Sequence, residues 1–209
     1  MYKQITAFFL AITLGMTAAQ AEVAQYTLDP SHTQVKFSWD HFGFSTPGGT
    51  FKDVQGEIKA DEAAPEKSSV SVVIQVDSIE TGVPLLNEHL LTQPDNFFKV
   101  KEHPQITFKS KAVQNVDRNK QTFDLAGTLT INGVSKDVVL ATKLNKIGDH
   151  PMWNGAKAVG LSATTTIKRS DFGIDIYVPA VSDELTVDIT LEGVESAAYK
   201  KAMAEQNAG

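Results

Sequence analysis

A chain of 209 residues without a single cysteine cannot be held by disulfides, so a hydrophobic core must support the fold, and a lipid-modified cysteine is excluded with it. The formal net charge is -6 and no basic cluster of the kind that tracks a phosphate backbone is present, so nucleic acid is not an expected partner.

The first residues read as an address. Lys3 is followed by an apolar stretch from Ile5 to Thr17 and by Ala19-Gln20-Ala21, a small-x-small cleavage site. A transmembrane anchor needs roughly 20 apolar residues, whereas this stretch is interrupted by Thr6, Thr13 and Gly15. Residues 1–21 are therefore expected to be a cleaved signal peptide, with the working protein starting at Glu22 outside the cytoplasm. The remainder suits one domain, 22–196, with a tail over 197–209.

Along that domain the dominant period is two. Val35, Phe37 and Trp39 alternate with polar neighbours, as a strand with one buried face requires. The pattern returns in Val70, Val72, Ile74 and Val76; in Ile106 and Phe108; and from Phe123 through Leu125, Gly127 and Leu129 to Ile131. It continues from Val138 to Leu144, from Val159 to Ile167 and from Leu185 to Leu191. One strand breaks its own parity between Phe51 and Val54, which predicts a β-bulge near Lys52-Asp53. Turns are expected at Pro47-Gly48-Gly49, Asp117-Arg118-Asn119, Asn132-Gly133 and Gly148-Asp149-His150-Pro151. Asn132-Gly133 is the sharpest, because that pair accepts the positive φ values of a two-residue hairpin turn.

One internal segment, Pro84 to Leu91, has helical spacing, and Ala197 to Gln206 has helical composition without a cap, so its helix is expected to fray. Roughly eight or nine strands with hairpin turns favour a closed antiparallel barrel over a two-sheet sandwich. Small inward positions, Gly127, Thr142, Ala163 and Thr165, are expected to leave room inside.

Reactive chemistry is sparse. His32, His41, His89, His103 and His150 are spaced singly, with no H-x-H or H-E-x-x-H pair, so no metal site is read from spacing. Gly160-Leu161-Ser162-Ala163-Thr164 only approximates a nucleophile elbow and lies in a continuous strand. No dinucleotide fingerprint or phosphate loop is present, so no cofactor is expected. Asp183-Glu184 reads as solvated charge.

The distinctive motifs are aromatic and turn-forming: Ser31-His32-Thr33-Gln34-Val35-Lys36-Phe37, His41-Phe42-Gly43-Phe44, Gly49-Thr50-Phe51-Lys52-Asp53-Val54-Gln55-Gly56 and Asp77-Ser78-Ile79-Glu80-Thr81-Gly82. His89-Leu90, Asp95-Asn96-Phe97-Phe98, Pro104-Gln105-Ile106-Thr107-Phe108-Lys109-Ser110, the Gly127 to Val134 hairpin and Arg169-Ser170-Asp171-Phe172-Gly173-Ile174 follow. In this order they resemble the YceI-like family over about Tyr26 to Ser196. One departure is Val83-Pro84-Leu85-Leu86-Asn87, more apolar than the charged segment usual in that family.

The resemblance implies an all-β fold: an eight-stranded antiparallel lipocalin-like barrel with one short helical insertion. It also implies a periplasmic binding protein, often a homodimer, that carries or stores an isoprenoid lipid, polyprenyl or isoprenoid-quinone, in an apolar tunnel. The residues expected to touch that ligand are Val35, Phe37, Trp39, Phe42, Val72, Ile74, Phe108, Leu125, Leu129, Leu161, Phe172, Val187 and Ile189. Two alternatives stand beside it: an enzyme modifying such a lipid, with His41 or Arg169 and Asp171 near the mouth, and a structural protein whose barrel is filled by its own side chains.

Overall fold

Strands with one apolar face bury that face most completely by closing on themselves, and closure also removes their unpaired edges. In the computed structural model, which describes residues 23–92 and 97–208, this is the outcome. The expected signal peptide lies outside the described residues, as do Asp95 and Asn96.

The strands are β1 (Ala24–Leu28), β2 (Gln34–Ser38), β3 (Gly48–Phe51), β4 (Val54–Ala60), β5 (Ser69–Gln75), β6 (Ile79–Glu80), β7 (Gln105–Asp117), β8 (Thr122–Ile131), β9 (Val134–Asp149), β10 (Lys157–Lys168) and β11 (Glu184–Glu195), with helices α1 (Pro84–Thr92) and α2 (Ser196–Asn207). They make eight antiparallel walls, because three walls are broken in two. β1 and β2 lie end to end along β11, and β3 and β4 form the next wall. β5 and β6 form the third. β7 to β11 follow as a meander, and β11 closes the ring on β1 through Tyr26↔Glu195 and Leu28↔Gly193.

The interruption between β3 and β4 falls at Lys52-Asp53, where the parity change places it. β1 and β6 carry no long periodic run and are found only in the structure. Two expected turns are corrected. Gly48 and Gly49 lie inside β3, where a Cβ on Gly49 would stand 2.8 Å from the Phe37 ring, so the glycines admit that ring rather than turn the chain. Gly148 and Asp149 finish β9, and the reversal waits for Pro151–Trp153 and the left-handed Asn154. At Asn132-Gly133 both φ values are positive, 51° and 76°, and Ile131 pairs with Val134, as a two-residue hairpin turn demands.

The tail is firmer than its composition suggests. α2 stacks Tyr199 on Trp153 at 5.6 Å, and Ser196 Oγ hydrogen-bonds Thr27 Oγ1 at 2.9 Å. Its helicity comes from docking rather than from propensity. Among the described residues no helix is long and apolar enough to cross a membrane.

The apolar interior divides into two clusters. One, around Phe51, Val76, Leu90, Phe98 and Phe172, closes the end near α1; the other, around Tyr26, Leu28, Phe108, Leu125 and Leu161, fills the opposite half. Gly127 does not leave an opening, as its size had suggested. A Cβ there would meet Phe108 Cζ at 2.5 Å and the Lys109 carbonyl oxygen at 2.7 Å. Gly127→Ala is expected to destabilise the fold by about 1–3 kcal/mol through overpacking. Phe108→Leu in the same chain should recover only part, because the carbonyl cannot retreat; thermal melts of the single and double variants check this.

Candidate functional site

The barrel encloses a hollow of about 130 Å³ lined by 26 residues, none of them charged. Each wall supplies alternate residues, since side chains of one parity point inward. Only Thr33, Thr142 and Thr165 bring a hydroxyl. Thr142 Oγ1 donates to the Leu140 carbonyl at 3.0 Å and Thr165 Oγ1 to the Val139 carbonyl at 2.9 Å, so both are satisfied by β9. Thr33 Oγ1 is buried without a hydrogen-bond partner.

Beyond Val70, Leu125 and Leu161 lies a second hollow of about 300 Å³, with those three residues common to both. It opens towards the β4–β5 and β7–β8 turns, where Asp61, Glu62, Asp117 and Arg118 bring charge to the rim. Arg118 Nη2 donates to the Ala63 carbonyl at 3.0 Å, tying the two turns together. A hollow near 150 Å³ lined by aliphatic and aromatic groups stays dry and accepts a benzene-sized guest. The inner hollow is of that order, and Val70, Leu125 and Leu161 form the constriction between it and the second hollow.

The opposite end is shut by side chains from three segments. Phe98 packs edge-on against Phe51 at 6.1 Å. The segment carrying Phe97 and Lys99 is fixed by Asn132, whose Nδ2 donates to the Phe97 carbonyl at 2.9 Å and whose Oδ1 accepts from Lys99 N at 3.0 Å. Arg169 is buried and donates through Nε, Nη1 and Nη2 to the carbonyls of Ser182, Ile174 and Val181 at 2.9, 3.0 and 3.0 Å. All three guanidinium nitrogens are thus spent on holding the 169–183 segment.

A family model for the YceI-like domain matches residues 26–193. The chain belongs to the YceI-like family. A YceI protein of Salmonella arizonae is 36% identical over 197 residues, 93% of this chain and 99% of the relative. The crystal structure of a YCEI protein of Campylobacter jejuni superposes with a TM-score of 0.66 at 28% identity, over 91% of this chain and 99% of that one. A polyisoprenoid-binding domain from Saccharophagus degradans has a TM-score of 0.59 at 16% identity, over 83% of this chain and 99% of that one, a likeness of fold alone.

Within this YceI-like barrel, Val35, Phe37, Val72, Ile74, Phe108, Leu125, Leu129, Leu161, Val187 and Ile189 line the inner hollow. Trp39, Phe42 and Phe172, expected beside them, do not. Trp39 follows the last residue of β2 and stacks on Phe37 at 5.9 Å. Phe42 stands in the His41–Ser45 loop with φ 57° and is half exposed, beyond the wall. Phe172 is buried in the turn behind the closed end. Several lining residues escaped the sequence reading although they share the parity of those found, among them Ile131, Ile167 and Leu185. Phe98 follows α1 in a segment without periodicity; the Asp95-Asn96-Phe97-Phe98 motif marks it, but no alternation shows that it lines the hollow.

The Arg169 motif serves as a latch. Asp183, read from sequence as solvated, accepts from Ser170 N at 2.9 Å and from Ser170 Oγ at 2.7 Å. Burial works to raise its pKa, but the Ser170 hydrogen bonds and the Arg169 charge outweigh it and hold the carboxyl below the ordinary aspartate value. The unfolded chain therefore takes up this proton at higher pH than the folded chain. The stabilisation is present above the ordinary value and is lost as pH falls through the depressed one. Asp183→Asn is expected to lower neutral stability and flatten the acid limb of a urea-midpoint-versus-pH curve; an unchanged limb would remove Asp183 from the latch. Ser162 is a strand residue whose Oγ accepts from Asn145 Nδ2 at 2.8 Å.

Proposed function

We propose that this chain binds an isoprenoid lipid, of polyprenyl or isoprenoid-quinone type, inside the barrel, and does so in the periplasm after removal of residues 1–21. The observation that carries this reading is a lining of 26 residues without one charge. The polyisoprenoid-binding domain of Saccharophagus degradans, with the same fold, supports the choice of guest. The leader-like start supports the compartment.

Hydrocarbon burial drives such binding. A tail that loses about 500 Å² of contact with water gains on the order of 12 kcal/mol at ~25 cal/mol per Å². Association costs roughly 4–15 kcal/mol, so affinity depends on a preformed and dry interior. Val35, Phe37, Val187 and Ile189 form one face of that interior. Thr33 Oγ1 offers the guest one hydrogen-bonding atom, since the other two hydroxyls are taken.

The test is direct. Protein purified without detergent is extracted into organic solvent and analysed by mass spectrometry, with an isoprenoid expected in the extract. The chain has two tryptophans. With Trp153→Phe, Trp39 alone reports on the Phe37 wall, and its fluorescence is expected to change on titration with polyprenol. No co-purifying lipid together with a flat titration would defeat the proposal.

A further inference from the structure

We infer that Asp29, His32 and Glu192 form a binding site for a divalent transition-metal ion of the zinc class on the outside of the barrel, distinct from the lipid hollow. One donor atom from each of the three lies within 4.8 Å of the other two. Sequence spacing conceals this, because Glu192 is on the last strand while Asp29 and His32 belong to the turn after the first.

The fold brings them together through ordinary sheet geometry. Leu28 pairs with Gly193, and the ladder continues one step, with Asp29 N donating to the Glu192 carbonyl at 2.8 Å. In β11 the odd-numbered Leu185, Val187, Ile189 and Leu191 line the hollow, so Glu192 points to the outer face. Opposite it in β10 stands Gly160, so no side chain from that position crowds Glu192; an added Cβ would make only ordinary contact with Asn145 Cβ at 3.8 Å. The turn then folds back: Ser31 N donates to Asp29 Oδ1 at 2.9 Å, and His32 Nδ1 lies 2.8 Å from Asp29 Oδ2.

Three observations favour an ion over a simple capped turn. Glu192 Oε1 is shut off from solvent and makes no aligned hydrogen bond, its neighbour being His150 Nε2 at 3.2 Å, so it keeps capacity to bind a cation. Among the described residues, neither Asp29 nor Glu192 pairs with Lys or Arg. And the donor set includes an imidazole, which suits transition metals of the zinc class, whereas calcium and magnesium prefer oxygen alone.

His150 is a positioning residue and not a ligand. Its Nε2 is 3.2 Å from Glu192 Oε1, off the line of a hydrogen bond. Its Nδ1 accepts from Met152 N at 3.1 Å, so Nε2 carries the proton and has no lone pair to offer. Donor atoms bound to zinc at about 2.0–2.2 Å lie closer together than 4.8 Å, so the cluster must contract. His32 can make that movement, because its side chain is 63% exposed.

The experiment uses untagged protein stripped with a chelator, then equilibrated with zinc and assayed for bound metal by equilibrium dialysis. One equivalent per chain is expected, with an upward shift of Tm that grows with free zinc. His32→Ala and Glu192→Gln, the first on the surface and the second isosteric, are expected to weaken binding by at least about 10- to 100-fold. His150→Gln is expected to keep it within a few-fold. Absence of stoichiometric zinc in the parent, or zinc retained equally by His32→Ala and Glu192→Gln, overturns the inference. Loss in His150→Gln with retention in His32→Ala also overturns it, because the ligand would then be the other imidazole.

Discussion

Arg169→Met is expected to lower the stability of the barrel by about 3–5 kcal/mol, since breaking a buried, hydrogen-bonded charged group strands its partners. For a chain of this size that corresponds to a fall in Tm of about 6–20 °C. Methionine restores much of the volume but none of the three donors. The carbonyls of Ile174, Val181 and Ser182, which now accept at 2.9–3.0 Å, would be left to find other partners. Burial presses the Arg169 pKa down while the Asp183 and Asp175 charges oppose it, so the guanidinium is held by partners and not by solvent. Arg169→Lys keeps the charge and should rescue little, because an ammonium cannot reach three carbonyls in the plane of a guanidinium fork. Differential scanning calorimetry of the three proteins decides; equal Tm values for parent and Arg169→Met would mean that the 169–183 segment is secured elsewhere.

The latch shows where local sequence stops being informative. Arg169-Ser170-Asp171-Phe172-Gly173-Ile174 is visible as a motif, yet its purpose depends on carbonyls and a carboxylate contributed by residues 174–183. The walls of the barrel are different, because alternation is a local property. Val35 and Phe37, or Leu185, Val187 and Ile189, reveal their inward parity without reference to any partner. Trp39 has the same parity but lies just past the end of β2 at Ser38 and is not among the residues lining the hollow. β7 was half legible for a related reason. Its register shifts between Ser110 and Ala112, so the inward set changes from Ile106 and Phe108 to Val113, and an uninterrupted alternation is lost. Gly127 misled in the other direction: its size suggested space, but that space belongs to the Phe108 ring. The Asp29, His32 and Glu192 cluster had no local signature at all. Its geometry is created by the closing ladder between β1 and β11, the most sequence-distant pairing in the barrel.

The second large effect is expected at the constriction, where Leu161→Trp should convert one guest length into another. Leu161 is buried, projects from β10, and belongs with Val70 and Leu125 to the linings of both hollows. An indole at this position fills the passage. The overpacking cost of about 1–3 kcal/mol is moderated because the ring has a hollow on either side to enter. A guest that fits within the inner hollow should be unaffected, whereas one that threads into the second is cut short. Exclusion of a single five-carbon unit, at ~0.8 kcal/mol per CH₂-sized group, forfeits about 4 kcal/mol and weakens binding several-hundred-fold. Titration calorimetry with a short isoprenoid alcohol and a long polyprenol therefore separates two ways of using the barrel. If the guest threads both hollows, the long compound loses affinity for Leu161→Trp while the short one keeps it. If both compounds bind parent and variant alike, the long tail leaves the barrel on the α1 side instead, and the charged rim around Arg118 has no part in lipid entry.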